Sequence, residues 1–509
     1  MSVRSKLLTL AIVVVYAVAM VSTNGIFTIL DDESTIVSMA GSPVLPTVQL
    51  YLHGGSVNEH PPASDILLHG WMVATGYAFS ALRIFANIFY ILGTLFLALS
   101  AYRLGGMKAY WAALVLSFAW PFAFQYGRIT GWYCCSFFLV ALATWLYLEI
   151  LDGRGYGWWV AFTAAAILMV WTNYFGVATL LLLLLDLLFF HRDIARKNRT
   201  ALLLSFAAVV LSFLPFFRVV IDDLGSHAMG VHSGVDWKAM VAEVGYPLFS
   251  IFGSVAVAPW YLPLSIPVFA ATIALLVSIW RSPGRRWLVY LGLSVVLLEL
   301  SGQTNVKRVL FLLPWLFVAM IQAALGKAAI YPRLAWAAIV TLVVAGWIGI
   351  ISGRHYATAN LYEPWKNVAQ VVAGNARAGD TVISDSFPFF FYMNYQLGLE
   401  RETQADSGSD LTAGVYQSYG YRILEPDGEE QWLDGLKGKV VLVSGAAYLD
   451  EVQWMASLND RLHQRCNVQG EYRAVPDPAL EFKAKFVKDA PALAFRVDVT
   501  WFDCSGQGR

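Results

Sequence analysis

The chain is poor in charge. Only 14% of its 509 residues are Asp, Glu, Lys or Arg, and the formal net charge is +0. A soluble domain carries about a quarter charged residues, so this balance excludes an ordinary soluble protein. Without a basic excess, nothing indicates a nucleic acid partner. The chain also has no Walker A loop, no credible Rossmann fingerprint and no Ser nucleophile elbow.

Long apolar runs take the place of charge. Hydrophobic residues make up 58% of the chain. Runs near 20 residues, long enough to cross a bilayer, recur through about the first 350 positions. They predict an α-helical polytopic membrane protein with about eleven transmembrane helices. The predicted spans are 7–29, 78–100, 109–126, 132–151, 157–173, 175–190, 201–218, 263–280, 287–301, 308–325 and 334–352.

Basic residues are unevenly distributed between the two sides of these spans. With Met1 in the cytoplasm, fourteen Lys and Arg residues fall in inner connections and four in outer ones, which is a positive-inside bias. The first span lacks a clean cleavage site and is interpreted as an uncleaved helix. The segment 247–262 is interpreted as a helix or re-entrant piece at the outer surface. The odd number of spans then places the C-terminus outside the inner (cytoplasmic) membrane.

The composition changes after Gly353. Residues 1–352 are predicted to form the transmembrane domain, and residues 353–509 an extracytoplasmic α/β domain. A helix is predicted over 363–376, and strands over 380–385, 439–444, 480–487 and 493–501. This domain contains Cys466 and Cys504, and the sequence leaves open whether they form a disulfide. Cys134 and Cys135 lie within a span and are interpreted as packing residues.

The first outer loop, 30–77, contains no Lys or Arg. Two short helices are predicted within it, over 34–40 and 63–73. Carboxylates are costly to desolvate at a membrane surface, so this acidic loop is a candidate site for activating a nucleophile. For Asp31 a helix N-cap is the favoured interpretation, and for Asp32 a chemical role. The titratable residues of the loop are Asp31, Asp32, Glu33, His53, Glu59, His60, Asp65 and His69.

A few basic residues are predicted to face this acidic loop. Such cations suit a departing lipid phosphate, which Arg can grip bidentately. Pairing with Asp31, Glu33 or Glu59, or with lipid headgroups, is the open alternative. Binding of the lipid phosphate is the favoured interpretation for Lys307 and Arg308, because two adjacent cations repel each other unless an anion lies between them. The basic residues concerned are Arg83, Arg128, Arg218, Lys307 and Arg308.

A metal site is a further option for the acidic loop. His53, Glu59 and His60 have ligand chemistry suited to a divalent ion, but their spacing matches no strong metal motif. The sequence therefore predicts no metal ligand and requires no cofactor. A divalent metal remains an option, and His53, Glu59 and His60 would then be its ligands.

Several short motifs resemble those of the GT-C membrane glycosyltransferases, in the branch of protein O-mannosyltransferases and lipid A aminoarabinose transferases. The likeness covers mainly 1–190 and, more thinly, 301–320. Val309 replaces a usual Tyr, and Asn173 stands where His is common. The motifs are Asp32-Glu33, His60-Pro61-Pro62, Leu67-Leu68-His69-Gly70-Trp71, Leu82-Arg83, Thr172-Asn173-Tyr174, Lys307-Arg308-Val309 with Pro314 and, more loosely, Tyr126 with Arg128.

The resemblance implies inverting transfer of a sugar from a polyprenyl-phosphate donor to an envelope acceptor, which is a lipid, a glycan or a protein. It implies Asp32 as the general base, with Glu33 orienting the acceptor or binding a metal. Lys307 and Arg308 would bind the donor phosphate with help from Arg83 or Arg128. Asp31, Glu59 and His60 would support the loop or the acceptor. The alternatives are a multi-pass transporter or lipid-carrier flippase, and a non-catalytic membrane protein.

Overall fold

The computed structural model describes most of the helical part of the chain and much of its C-terminal sheet. The described residues are 2–25, 31–41, 44–52, 61–76, 78–217, 219, 245, 248–253, 257, 261–300, 307–326, 330–352, 365–377, 379–384, 386, 389, 392–393, 414–418, 421–425, 433, 436–444, 449–474 and 497–505.

Helices make up most of the first 352 residues. They are α1 (Val3–Ser22), α2 (Asp31–Ala40), α3 (Val44–Leu52), α4 (Ala63–Thr75), α5 (Phe79–Ala119), α6 (Pro121–Tyr126), α7 (Trp132–Leu151), α8 (Tyr156–Thr172), α9 (Phe175–Phe190), α10 (Arg192–Lys197), α11 (Arg199–Phe213), α12 (Leu262–Trp280), α13 (Arg285–Leu300), α14 (Leu313–Ala324) and α15 (Ile330–Ser352). Two 3₁₀ helices, Leu214–Phe216 and Lys307–Leu312, lie between them.

The 41-residue α5 contains two antiparallel arms. Gly106 interrupts it with φ 70° and ψ −160°, a conformation that only glycine adopts without strain. The Tyr90 hydroxyl donates to the Ser117 carbonyl at 2.6 Å. In a straight helix these residues would lie about 40 Å apart, so the chain reverses at Gly106. The sequence predicted two spans here, 78–100 and 109–126, with their connection around this glycine.

The first helix is shorter than predicted. The predicted span 7–29 corresponds to α1, which begins at Val3 and ends at Ser22. Its start is capped by Ser2, whose side chain accepts from the Ser5 amide at 3.2 Å. At its end the Thr23 hydroxyl donates back to the Ala19 carbonyl at 2.6 Å. The polar triplet from Thr23 to Gly25 ends the apolar run, and hence the helix.

Within the described residues, six helices are long and apolar enough to cross a membrane. They are α1, α5, α7, α12 and α15, together with Arg199–Phe216, in which α11 continues through its 3₁₀ turn. Shorter apolar helices over Tyr156–Thr172, Phe175–Phe190 and Val309–Ala324 accompany them. The chain is therefore a multi-pass membrane protein. The predicted number of about eleven spans stays a prediction.

A mixed six-stranded sheet occupies the C-terminal part. Its order is β2-β3-β1-β4-β6-β5, with β1 parallel to β3 and β4 and the other pairs antiparallel. The predicted strand 439–444 coincides with β4, whereas 480–487 lies outside the described residues. The strands are β1 (Thr381–Ser384), β2 (Gly414–Ser418), β3 (Tyr421–Glu425), β4 (Lys439–Ser444), β5 (Asn467–Ala474) and β6 (Val497–Asp503).

Among the described C-terminal residues, the helices α16 (Trp365–Asn375) and α17 (Leu449–Arg465) accompany the sheet. α16 corresponds to the helix predicted over 363–376. The apolar faces of α17 and the sheet form a core that includes Ile383, Leu442, Leu462 and Phe502. Beside this core, Cys466 and Cys504 form a disulfide, which settles the pairing that the sequence left open.

The chain divides into two compact units. The membrane unit contains residues 1–24, 36–76 and 80–355, and the C-terminal unit contains residues 25–35, 77–79 and 356–509. The acidic run Asp31-Asp32-Glu33 therefore belongs to the C-terminal unit, although it is close in sequence to α1 of the membrane unit.

Candidate active site

Two buried arginines meet at the C-terminal end of α1. Arg83 Nη1 donates to the Asn24 carbonyl at 2.5 Å. Arg128 Nη1 donates to the Thr23 carbonyl at 2.6 Å and contacts the Thr23 hydroxyl at 3.0 Å. Both side chains are fully buried. A helix end carries partial negative charge on its free carbonyls, so two guanidinium groups stabilise it there.

Neighbouring residues hold these arginines in place. Arg128 follows α6, and its Nε donates to the Phe124 carbonyl at 2.8 Å while the guanidinium lies 3.8 Å from the centre of the Phe124 ring. Asn24 Nδ2 also donates to Asn87 Oδ1 at 2.9 Å, which ties α1 to α5 a second time. The end of α1 is therefore rigidly fixed, and the acidic run begins at Asp31, seven positions after Asn24.

The acidic run opens α2. The helix begins at Asp31, where the sequence predicted an N-cap, and the Asp31 and Asp32 side chains lie outside what the structure describes. Glu33 is described and is almost fully buried, at 1% exposure. Since a buried carboxylate is costly unless it is paired or hydrogen-bonded, Glu33 is a residue with a specific partner rather than a solvated charge.

A glycine lets α2 approach the start of α7. Gly131 precedes α7 with φ 132°, and a Cβ on it would lie 2.7 Å from Ile36 Cδ1. Both its backbone conformation and this close contact require glycine. This contact joins the second half of α2 to the start of α7 within the membrane unit.

Hydrogen bonds connect the three described helices of the loop 30–77, which are α2, α3 and α4. Tyr51 donates a short hydrogen bond to the buried Asp65, which also accepts from Ser64 at 3.2 Å. His69 Nδ1 lies 2.7 Å from the Ala40 carbonyl, so α4 is tied to the end of α2. Asp65 and Tyr51 were not among the predicted site residues, because no linear spacing in the sequence marks their pairing.

The predicted phosphate-binding pair begins a buried element. Lys307 and Arg308 are the first residues of the 3₁₀ helix that ends at Leu312, and their side chains lie outside the described part of the structure. The four residues that follow them, 309–312, are at most 2% exposed. Phe311 stacks on Phe175 at the start of α9, with ring centres 6.0 Å apart. The backbone of the pair is therefore held by a rigid packed segment.

Asn173 ends α8 and helps to start α9. Its side chain is 1% exposed, and Asn173 Oδ1 accepts from the Phe175 amide at 2.9 Å. This is an Asx-type turn, in which an amide side chain replaces a backbone acceptor. The geometry gives Asn173 a structural role where the resembling family commonly has His.

The remaining predicted site residues, His53, Glu59 and His60, lie outside the described residues. Within the part of the chain that the structure describes, no group of three or more His, Cys, Asp or Glu residues could hold a metal ion. The alternative of a divalent metal at His53, Glu59 and His60, which the sequence does not favour, is not tested by the described residues.

A second buried polar cluster lies near the other end of α7. Asp186 accepts hydrogen bonds from the hydroxyls of Tyr147 and Tyr290. Arg286 Nη1 lies 3.5 Å and His191 Nε2 3.6 Å from its carboxylate. Arg286 reaches this carboxylate because α13 packs beside α9.

No family model matches the chain, and no curated protein matches it. Among solved structures it is similar to ArnT from Cupriavidus metallidurans. The structure bound to undecaprenyl phosphate has 12% sequence identity and a TM-score of 0.49, covering 98% of each chain. The apo structure has 13% identity and a TM-score of 0.48, again over 98% of each chain. ArnT is a lipid A aminoarabinose transferase with the GT-C fold.

Proposed function

We propose that this protein is an integral-membrane glycosyltransferase. It moves a hexosyl or pentosyl group from a polyprenyl-phosphate donor to an envelope acceptor, which is a lipid, a glycan or a protein. The transfer inverts the anomeric centre, because one displacement joins the acceptor to the sugar as the lipid phosphate leaves. No nucleotide takes part, since the sugar arrives already activated on the lipid.

Asp32 is the proposed general base. Its carboxylate removes the proton from the acceptor hydroxyl or amine while the acceptor atom attacks the anomeric carbon. The bond from that carbon to the phosphate oxygen breaks, and its electron pair leaves with the lipid phosphate. Glu33 orients the acceptor. Asp31, Glu59 and His60 support the loop or the acceptor.

Positive charge stabilises the departing phosphate. We assign this role first to Lys307 and Arg308, which begin the packed 3₁₀ helix. Arg83 and Arg128 are proposed to assist. Their described contacts include the Asn24 and Thr23 carbonyls just beyond the end of α1, so each of them also has an anchoring role.

One observation supports the proposal most strongly. Two fully buried arginines fix the end of α1, and the chain then enters an acidic helix in which Glu33 is almost fully buried. Burying this much charge is expensive, and a scaffold helix would not need it. Asp32 directly precedes Glu33 in this acidic helix, which supports its assignment as the base.

The proposed site and the C-terminal unit lie on the extracytoplasmic side of the inner membrane. The uneven distribution of Lys and Arg supports this orientation. The Cys466–Cys504 disulfide also supports it, because disulfides persist in oxidising compartments.

Mass spectrometry of envelope glycolipids and glycoproteins tests the proposal. A deletion strain should lack a glycosylated species that the wild-type chain restores. Asp32→Asn should lower its formation by at least about 100-fold, the lower range for losing a general base. Asp31→Asn is the matched control and should restore it, because Asp31 has only a supporting role.

Binding of undecaprenyl phosphate to the purified chain separates chemistry from folding. Asp32→Asn should bind this probe as the wild type does. Full product formation by Asp32→Asn would overturn the assignment of the base. A deletion strain whose glycosylated species are unchanged, but in which a lipid-linked sugar accumulates on one side of the membrane, would instead indicate a transporter or flippase.

A further inference from the structure

A large apolar cleft lies between α12 and α13, on a part of the membrane unit that the proposed chemistry does not use. Its volume is about 690 Å³. Phe269 and Leu276 line it from α12, and Leu288 and Leu291 from α13. The helical segment 248–253 closes it beside Phe269, where the Phe249 and Phe269 ring centres are 4.9 Å apart.

One cation stands at the opposite end of the cleft. Arg281 follows the last residue of α12 and is the single charged residue among those lining the cleft. It is exposed and makes no ion pair with any residue that the structure describes. Its neighbours Arg285 and Arg286 add positive charge, and Arg286 is already paired with Asp186 at 3.5 Å. This end of the cleft therefore favours an anion.

The length of the cleft matches one leaflet of a bilayer. Phe269 and Arg281 are twelve residues apart on α12, which corresponds to about 18 Å. Half of a hydrocarbon core is about 15 Å thick. Trp280 lies beside Arg281 and is 57% exposed, and this pair of residues is typical of a membrane interface. The cleft thus runs from an interface toward the centre of the membrane.

A glycine keeps the cleft open. A Cβ built on Gly292 of α13 would meet no atom within 4 Å. Glycine inside a helix lowers helix stability relative to alanine, and no close packing contact of the described structure requires it here. The space beside Gly292 is consequently available to a ligand.

We propose that this cleft binds one anionic phospholipid from the leaflet on the Arg281 side. An acyl chain lies along Phe269, Leu276 and Leu291, and the headgroup phosphate pairs with Arg281. A zwitterionic headgroup fits less well, because its ammonium group would lie near the cationic cluster. Under the predicted topology this leaflet is the cytoplasmic one, which faces away from the proposed transfer chemistry.

Native mass spectrometry of the full-length chain in detergent, with phosphatidylglycerol added as the probe, tests the proposal. The wild type should retain one phosphatidylglycerol and prefer it to phosphatidylcholine by about fivefold, the value of one interfacial cation. Arg281→Ala should abolish that preference. Gly292→Leu should weaken binding of both lipids by about tenfold, because the leucine side chain excludes at least two methylene groups of the acyl chain from the cleft.

Two matched variants serve as controls. Gly157→Leu fills a similarly open position on α8, and Arg199→Ala removes another exposed cation that does not line the cleft. Both should bind lipid as the wild type does. Unchanged binding in Gly292→Leu would overturn the proposal. So would equal affinity for the two phospholipids, a loss of undecaprenyl phosphate rather than of phosphatidylglycerol on Gly292→Leu, or a dimer that dissociates on Gly292→Leu without lipid loss.

Discussion

The membrane unit and the C-terminal unit are each stabilised internally by a different kind of interaction. In the membrane unit, side-chain hydrogen bonds connect helices that are far apart in sequence. Trp120 Nε1 donates to the Ile251 carbonyl at 2.8 Å, and Trp315 Nε1 to the Thr144 hydroxyl at 3.1 Å. In the C-terminal unit, an apolar core and a disulfide join the sheet to α17.

The solvents explain this difference. Lipid tails are as apolar as leucine, so burying leucine between transmembrane helices gains little, and polar contacts specify which helices pair. In the C-terminal unit, removing Leu442 and Phe502 from water stabilises the fold through the hydrophobic effect, so that unit needs fewer buried polar groups. Substitutions of polar residues should therefore disturb the membrane unit, whereas the disulfide should dominate the C-terminal unit.

Removal of the disulfide should have the largest effect on stability. Cys466 and Cys504 are separated by 38 positions, and closing a loop of this length lowers the entropy of the unfolded chain by an amount worth about 4 kcal/mol. The double variant Cys466→Ser, Cys504→Ser should lose about that free energy of unfolding. Pulse proteolysis of the full chain in urea, following C-terminal fragments, measures it.

The buried cysteines of α7 provide the control for this prediction. Cys134→Ala and Cys135→Ala remove thiols that form no disulfide, and they should leave the C-terminal fragments unchanged. An equal loss of stability on adding a reductant to the double variant and to the wild type would contradict the expectation, because only the wild type has a bond to reduce.

Asp186→Ala should have the next largest effect. It removes the acceptor of the Tyr147 and Tyr290 hydroxyls and the anion paired with Arg286. Breaking a fully buried ion pair costs about 3–5 kcal/mol, but Arg286 is partly exposed and can turn to solvent. The expected loss is therefore about 2 kcal/mol, measured as the free energy of unfolding in detergent.

Tyr290→Phe dissects the same cluster. It removes one hydroxyl and leaves Asp186 with Tyr147, Arg286 and His191, so the expected loss is about 0.6 kcal/mol, typical of one hydrogen bond within a membrane. If Tyr290→Phe were as harmful as Asp186→Ala, the hydroxyl rather than the charge would dominate the cluster.

Arg128→Lys should have a smaller effect than Asp186→Ala. Lysine keeps the charge but cannot make both the Thr23 and the Phe124 contacts of the guanidinium fork. We expect a loss of about 1.5 kcal/mol, the lower range for a charged hydrogen bond. A stability equal to that of the wild type would show that charge alone anchors α1. Binding of undecaprenyl phosphate, measured in parallel, tests the separate phosphate role.

The sequence predicts the local features of this structure well. Apolar runs predict α7 and α9, because a polar residue is unfavourable at each lipid-facing position of a transmembrane helix. The unbroken run of valine and leucine predicts β4. The two C-terminal cysteines allow only one pairing. Each of these features depends on residues that are close together in sequence or, for the disulfide, on the number of cysteines in the C-terminal unit.

Long-range polar contacts are the features that the sequence leaves hidden. The partners of Asp186 are 39 and 104 positions away, and no spacing reveals them. Arg83 and Arg128 were recognised as unusual cations, but their backbone partners at Thr23 and Asn24 could not be predicted, since every residue has a carbonyl. The roles of Asp32, Lys307 and Arg308 stay predictions for the experiments above.

The smallest expected effect concerns a partly exposed carboxylate of the C-terminal unit, Asp503. Hydrogen bonding from Ser505, whose amide donates to Asp503 Oδ1 at 3.0 Å, holds the pKa of Asp503 below its ordinary value of 3.8. A carboxylate with a lowered pKa stabilises the folded state above the ordinary value, and this contribution is lost as the pH falls through the folded pKa. Asp503→Asn should therefore be slightly less stable than the wild type at pH 7, and the difference should vanish once the pH has fallen below the folded pKa of Asp503. Pulse proteolysis across this pH range measures the difference, and a gap that widened in acid would mean that Asp503 is destabilised by its neighbours.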